Sequence, residues 1–124
     1  MTEDQLQTLC VDALRAAGFA PYVTTAYRQR GSSGVDKGVP DVLVPTPGRS
    51  GFYIGLEFKK PGKSPRWSSS EQADAYVAGH FHLVRSTEDL MKALLFSYER
   101  CMTSEFESAL RRLENILNQV HGVG

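Results

Sequence analysis

The chain holds only two cysteines in 124 residues, Cys10 and Cys101. Neither has a companion at metal-ligand spacing, and two are too few for a disulfide framework. Cys10, between Leu9 and Val11 in a helical stretch, reads as a small buried apolar residue. No run approaches the roughly 18 consecutive apolar residues of a membrane span. Met1 to Gln7 lacks a basic, apolar signal pattern. An intracellular protein with no membrane partner is therefore expected. The formal net charge is +0, which on its own argues against a strongly nucleic-acid-binding tail. Internal repeats and low-complexity tracts are absent too.

What is present is ordinary for one folded domain: 41% hydrophobic, 23% charged and 10% aromatic residues. The charges are unevenly placed. Arg28, Arg30, Lys37, Arg49, Lys59, Lys60, Lys63 and Arg66 face only Asp36, Asp41 and Glu57 in the same segment, eight bases to three acids. A positive field around an acidic pocket suits a polyanionic substrate.

Periodicity predicts a helix over 3–17, with Leu6, Leu9, Cys10, Ala13, Leu14 and Ala17 on one face and Gly18 as terminator. Residues 21–27 read as a strand, 28–38 as a Gly/Ser loop and 39–44 as a short strand stopped by Pro45 and Pro47. Over 51–59, Phe52, Ile54, Leu56 and Phe58 alternate with Tyr53, Gly55, Glu57 and Lys59. This is the cleanest strand signal in the chain, and apolar neighbours on both sides of Glu57 argue against an edge position. After a loop over 61–67, the overlapping boxes Ser68/Glu71 and Ser69/Gln72 open a helix to about Gly79. A strand over 81–85 follows, then a helix from Thr87 with Leu90, Met91, Leu94, Leu95 and Tyr98 on one face. A last helix over 104–120 carries the stripe Phe106, Ala109, Leu110, Leu113, Ile116, Leu117 and Val120. The order α-β-β-β-α-β-α-α predicts an α/β (α+β) fold, a four-stranded mixed sheet flanked by helices.

Glu57 and Lys59, two apart on a strand, project from the same face. Asp41, after Pro40 at the start of the preceding strand, is within reach of them. Two carboxylates and an amine suit a hard divalent cation and an activated water. Asp41 and Glu57 supply hard oxygens, and the Phe58 backbone carbonyl offers a third ligand. Lys59 would orient or deprotonate the attacking water. Phosphodiester hydrolysis needs a barrier reduction on the order of 20 kcal/mol, of which the cation supplies a large part.

The string Gly38-Val39-Pro40-Asp41, followed by Glu57-Phe58-Lys59, resembles the signature of the PD-(D/E)XK nuclease superfamily. With Glu3-x-x-Leu6-Gln7 in the first helix and Ser69-x-x-Gln72 after the catalytic strand, it is similar to the VRR-NUC family (virus-type replication-repair nuclease). The similarity spans residues 3–95, about three-quarters of the chain. It implies an αβββαβ core over 1–100 and Mg²⁺- or Mn²⁺-dependent DNA cleavage. By the same resemblance Asp41 and Glu57 are metal ligands, Lys59 is the catalytic lysine, Glu3 an accessory acid and Gln72 a polar residue lining the site. Stand-alone members are typically viral, and include homodimeric, Holliday junction resolvase-like enzymes. A phage- or prophage-encoded protein in a bacterial cytoplasm is the corresponding expectation. The segment 101–124 has no counterpart in the minimal core, and its stripe is expected to add to the core or to form dimer surface.

Lys60, Lys63 and Arg66 flank the catalytic strand as candidate phosphate contacts, and Arg28, Arg30 and Lys37 join them from the Gly/Ser loop. Trp67 is a candidate for stacking on a base or wedging into a branch point, against the commoner role of anchoring its loop. Asp4 competes with Glu3, since acids are favoured in any first helical turn. His80 and His82 lack the partners of a histidine-metal nuclease and read as structural. The chain has no room for a separate sequence-reading domain, and no helix-turn-helix or zinc finger appears. Selectivity for branched DNA, hence a DNA partner read by shape, is the leading expectation. The alternatives are a restriction-like or nicking nuclease of a mobile element, a non-cleaving DNA-binding module of the same fold, and a multimeric scaffold driven by the last helix.

Overall fold

The structure, a computed structural model, describes residues 1–24, 39–62, 67 and 69–122. Helix α1 (Glu3–Ala16) opens on a reciprocal capping box. The Thr2 hydroxyl accepts from Gln5 N–H at 3.1 Å, and the Gln5 side chain accepts from Thr2 N–H at 2.8 Å. Leu6, Cys10, Ala13 and Leu14 are buried at the expected spacing, and Val11 widens the stripe. The helix stops before Gly18, whose φ of 100° lies in the left-handed region that glycine tolerates.

Strands β1 (Tyr22–Val23), β2 (Val42–Pro45) and β3 (Tyr53–Phe58) precede helix α2 (Ser70–Val77), strand β4 (His82–Val84) and helices α3 (Thr87–Tyr98) and α4 (Ser104–Gly122). The sheet runs β1-β2-β3-β4, antiparallel except for the parallel β3–β4 pair. Among the described residues this is a mixed four-stranded sheet with four helices, an α+β fold in the expected element order. β3 is an interior strand. The first strand is shorter than expected, and residues 25–27 of that expectation lie outside the described residues.

Ile54, Leu56 and Phe58 point into one core with Val42, Val44 and Val84, against α1 and α3. Phe52 does not join them. It is 50% exposed, its ring beneath the Arg49 guanidinium at 4.3 Å, because it precedes the paired segment of β3. On α3 the buried positions are Leu90, Ala93 and Leu94, while Leu95, expected on that face, is 46% exposed. At 3.6 residues per turn Leu95 lies past the stripe that Leu90 and Leu94 define.

The α4 stripe is consumed within the chain. Phe106, Ala109, Leu110, Leu113 and Leu117 are buried against α1 and α3, Ile116 packs at the margin, and Val120 is 47% exposed. Phe106 meets Phe19 and Tyr98 edge-to-face at 5.9 and 5.3 Å. Polar ties seat the helix. Arg112 Nε donates to Ala17 O at 2.7 Å at the end of α1, and the Thr103 hydroxyl donates to Pro47 O at 2.6 Å while accepting from Phe106 N–H. Among the described residues, no helix is long and apolar enough to cross a membrane.

Candidate active site

The β2–β3 ladder ends at Val42 opposite Leu56. One step further, side chains replace the ladder. Asp41 N–H donates to Glu57 Oε1 at 3.1 Å, and Phe58 N–H donates to Asp41 Oδ2 at 2.9 Å. This exchange explains why β2 starts after Asp41, later than residues 39–44 predicted. It also fixes two carboxyls, sixteen positions apart in sequence, at one end of an interior strand. Thr24 holds Asp41 from the far side. Its N–H and hydroxyl donate to Asp41 O at 2.9 and 3.0 Å, and the hydroxyl reaches Pro40 O at 2.5 Å.

Helix α2 supplies the opposite wall. Ser69 is its N-cap, its hydroxyl accepting from Gln72 N–H at 3.1 Å. Ser68, the competing cap, lies outside the described residues. With its backbone capped, Gln72 turns its amide to the sheet: Nε2 donates to Glu57 Oε2 at 2.7 Å and Oε1 accepts from Lys59 Nζ at 3.0 Å. Lys59 Nζ also stands 3.6 Å from Glu57 Oε2. The four polar groups are nearly dry, with exposures of 7% for Asp41, 3% for Glu57, 8% for Lys59 and 3% for Gln72. Helix capping alone therefore does not account for Gln72.

Burial, then the Asp41 carboxylate, pushes the Glu57 carboxyl up to about 7; Lys59 pulls it the other way. Hydrogen bonding with the Asp41 side chain adds to the rise, while the Asp41 N–H from which Glu57 Oε1 accepts works against it. Glu3, in the first turn of α1, is raised by partial burial; Lys59 lowers it and Asp41 and Asp4 raise it. That places Glu3 within electrostatic reach of the cluster. Asp4 instead lines a groove between α1 and α4 with Leu9, Ile116 and Val120.

Two carboxyls this close in a dry site favour a shared proton or a nearby positive charge, such as the Lys59 ammonium or a bound cation. Mg²⁺ needs only one or two carboxylates and keeps several waters, so Asp41 and Glu57 fit it. The Phe58 carbonyl is compatible with this set. Lys59 N–H, on the same trans peptide, donates to Val84 O at 3.1 Å, which turns the carbonyl to the β2 side, where Asp41 lies. Among the described residues, no group of three or more His, Cys, Asp and Glu side chains forms a metal cage.

Lys60 is exposed immediately beyond Lys59. Trp67 stands beside the site, its ring 5.4 Å from Lys59 Nζ and 5.0 Å from the Tyr76 ring. Arg28, Arg30, Lys37, Lys63 and Arg66 lie outside the described residues. His80 is exposed on the α2–β4 connection, and half-buried His82 packs on Phe96 at 5.3 Å. Burial drives the Cys10 thiol up to about 12, as suits an inert apolar filler. Sequence reasoning missed Thr24 altogether, since a threonine in a strand-like run carries no signal of the distant backbone it will hold. Protein-family models, curated proteins and solved structures were compared with the chain, and none of them matches it.

Proposed function

We propose that the protein is a metal-dependent phosphodiesterase acting on DNA. More particularly, it is a VRR-NUC-type endonuclease of the PD-(D/E)XK superfamily, selective for branched or otherwise distorted DNA. The reading rests above all on the burial of Asp41 and Glu57, hydrogen-bonded to one another beside Lys59. Taking such a cluster out of water costs free energy, and buried groups of this kind concentrate at functional sites.

In this reading Asp41, Glu57 and the Phe58 carbonyl would hold Mg²⁺ or Mn²⁺. When bound, the ion neutralises charge on the scissile phosphate and acidifies water. The remaining work belongs to the chain. Lys59 Nζ, held by Gln72 Oε1 at 3.0 Å, orients the attacking water as a donor and offsets the negative charge that develops on the phosphate. Gln72 keeps Glu57 Oε2 and Lys59 Nζ in register by bonding both. Glu3 acts as an accessory acid from α1. Lys60, with Arg28, Arg30, Lys37, Lys63 and Arg66, contacts phosphates, and two protomers would act on the two strands of a symmetric junction.

The test is cleavage of branched, flapped and linear DNA with and without Mg²⁺. Mg²⁺-dependent cutting that favours branched substrates and vanishes in Asp41→Ala and Lys59→Ala is expected. Cutting that survives either substitution removes the mechanism. Binding without cutting leaves a non-cleaving module. Affinity should also fall steeply between low and moderate salt, because displaced counterions accompany phosphate contacts.

A further inference from the structure

Trp67 is the one tryptophan of the chain, and its surroundings give it a specific task. Its ring packs on Tyr76 at 5.0 Å with the planes 34° apart, and on Phe81 edge-on at 6.1 Å; Tyr76 and Phe81 are 5.7 Å apart. The cluster has a firm base. Phe81 is 5% exposed, and it sits close over β3 because residue 55 is glycine. A Cβ on Gly55 would come within 2.9 Å of His80 O, 3.0 Å of Phe81 Cβ and 3.1 Å of Pro40 Cγ.

The Lys59 ammonium lies over the Trp67 ring, 5.4 Å from its centroid. The ammonium has three N–H donors. Gln72 Oε1 at 3.0 Å and Glu57 Oε2 at 3.6 Å take two directions. The indole face supplies a negative quadrupole along another. At 8% exposure Lys59 has little water, so a cation there depends on such partners.

We propose that Trp67 is a positioning residue for Lys59: buttressed by Tyr76 and Phe81, its indole face holds the ammonium against Gln72 and Glu57. Its consequence for turnover rests on the nuclease reading; the contact itself does not. Trp67 then acts on the chemical step through Lys59, and is not a base-stacking platform.

Two experiments test this. In the first, the emission of Trp67 is compared between the unmodified protein and Lys59→Met. Loss of the charge beside the indole should shift its emission maximum, and unchanged emission overturns the contact whatever the protein's activity. The second measures kcat and KM for branched DNA with Mg²⁺ in Trp67→Leu, Trp67→Phe and Tyr76→Leu. Trp67→Leu should lower kcat about five- to thirtyfold, the span from an exposed to a desolvated cation–π contact, with KM within about twofold. Trp67→Phe, which keeps an aromatic face, should recover most of that loss. Tyr76→Leu removes the buttress from a position 41% exposed, and should lower kcat in the same direction without opening the core. Equal losses in the Leu and Phe variants, or a rise in KM with kcat unchanged, overturn the proposal; the second result would return Trp67 to DNA stacking. A wild-type protein that cuts nothing defeats the nuclease reading and leaves the fluorescence result to decide the contact.

Discussion

Successive side chains of β3 enter two environments that are equally dry and chemically opposite. Leu56 and Phe58 are 0% exposed among aliphatic neighbours, while Glu57 between them is 3% exposed among an acid, an amide and an ammonium. The first face stabilises the fold by removing apolar surface from water, roughly 25 cal/mol per Å². The second removes charge from water, which costs free energy that hydrogen bonds to Gln72 and the backbone only partly offset. Water exclusion is common to both faces, so burial alone does not identify a functional side chain. A pair of acids buried side by side, where a hydrophobe would fit more cheaply, is what makes this face the candidate site.

Breaking each face in turn sharpens this contrast. The largest expected effect is on activity from the polar face. Asp41→Ala or Lys59→Ala should lower Mg²⁺-dependent cleavage by at least about 10²–10³-fold, the loss typical of one preorganised electrostatic group, with the circular dichroism spectrum retained. On the apolar side, Phe106→Ala should cost about 3–5 kcal/mol in urea unfolding, since its ring is 0% exposed and packs on Phe19 and Tyr98.

The polar face should answer in the reverse direction. A Glu57 carboxyl raised to about 7 gives stability that is fully present below the unfolded value near 4.5 and lost as pH rises through 7. Glu57→Gln mimics the protonated form. At pH 8 without metal it should therefore be more stable than the unmodified protein, on the order of 1–2 kcal/mol. Mg²⁺ should raise the melting temperature of the unmodified protein at that pH and leave Glu57→Gln nearly unmoved. A variant less stable than its parent would mean that the buried acid contributes to the fold.

The smallest effect concerns His82, outside both faces. Burial, then Arg100, lowers its affinity for a proton. The stability this gives is present above the unfolded value near 6.5 and is lost as pH falls below it. His82→Gln should flatten the decline between pH 7 and 5 in thermal unfolding.

Much of this layout was legible in the chain. The alternation over 51–59 identified both faces of β3, and the spacing of Leu6, Cys10 and Leu14 identified the buried side of α1. Ser69 with Gln72 marked the start of α2. Where the reading failed, the cause was local pattern without a neighbour to measure it against. Phe52 continues the apolar alternation but lies beyond the paired strand, and Leu95 looks like its buried neighbour Leu94 until the helix is turned to face the sheet. The double assignment of Gln72, with its backbone in a cap and its side chain in a site, has only one half visible in a capping motif.

The sequence by itself determined the elements and their order, because backbone propensity, capping and hydrophobic period act over a few residues. It also placed an acid and an amine on one side of a strand, since the two-residue repeat of a pleat requires it. Only the tertiary structure decided that Asp41 would bond to Glu57 and to the Phe58 N–H, that most of the α4 stripe would be spent inside the chain, and that Trp67 would face an ammonium. Those outcomes depend on strand register and on the packing of one layer against another, and such long-range geometry has no signature in local spacing.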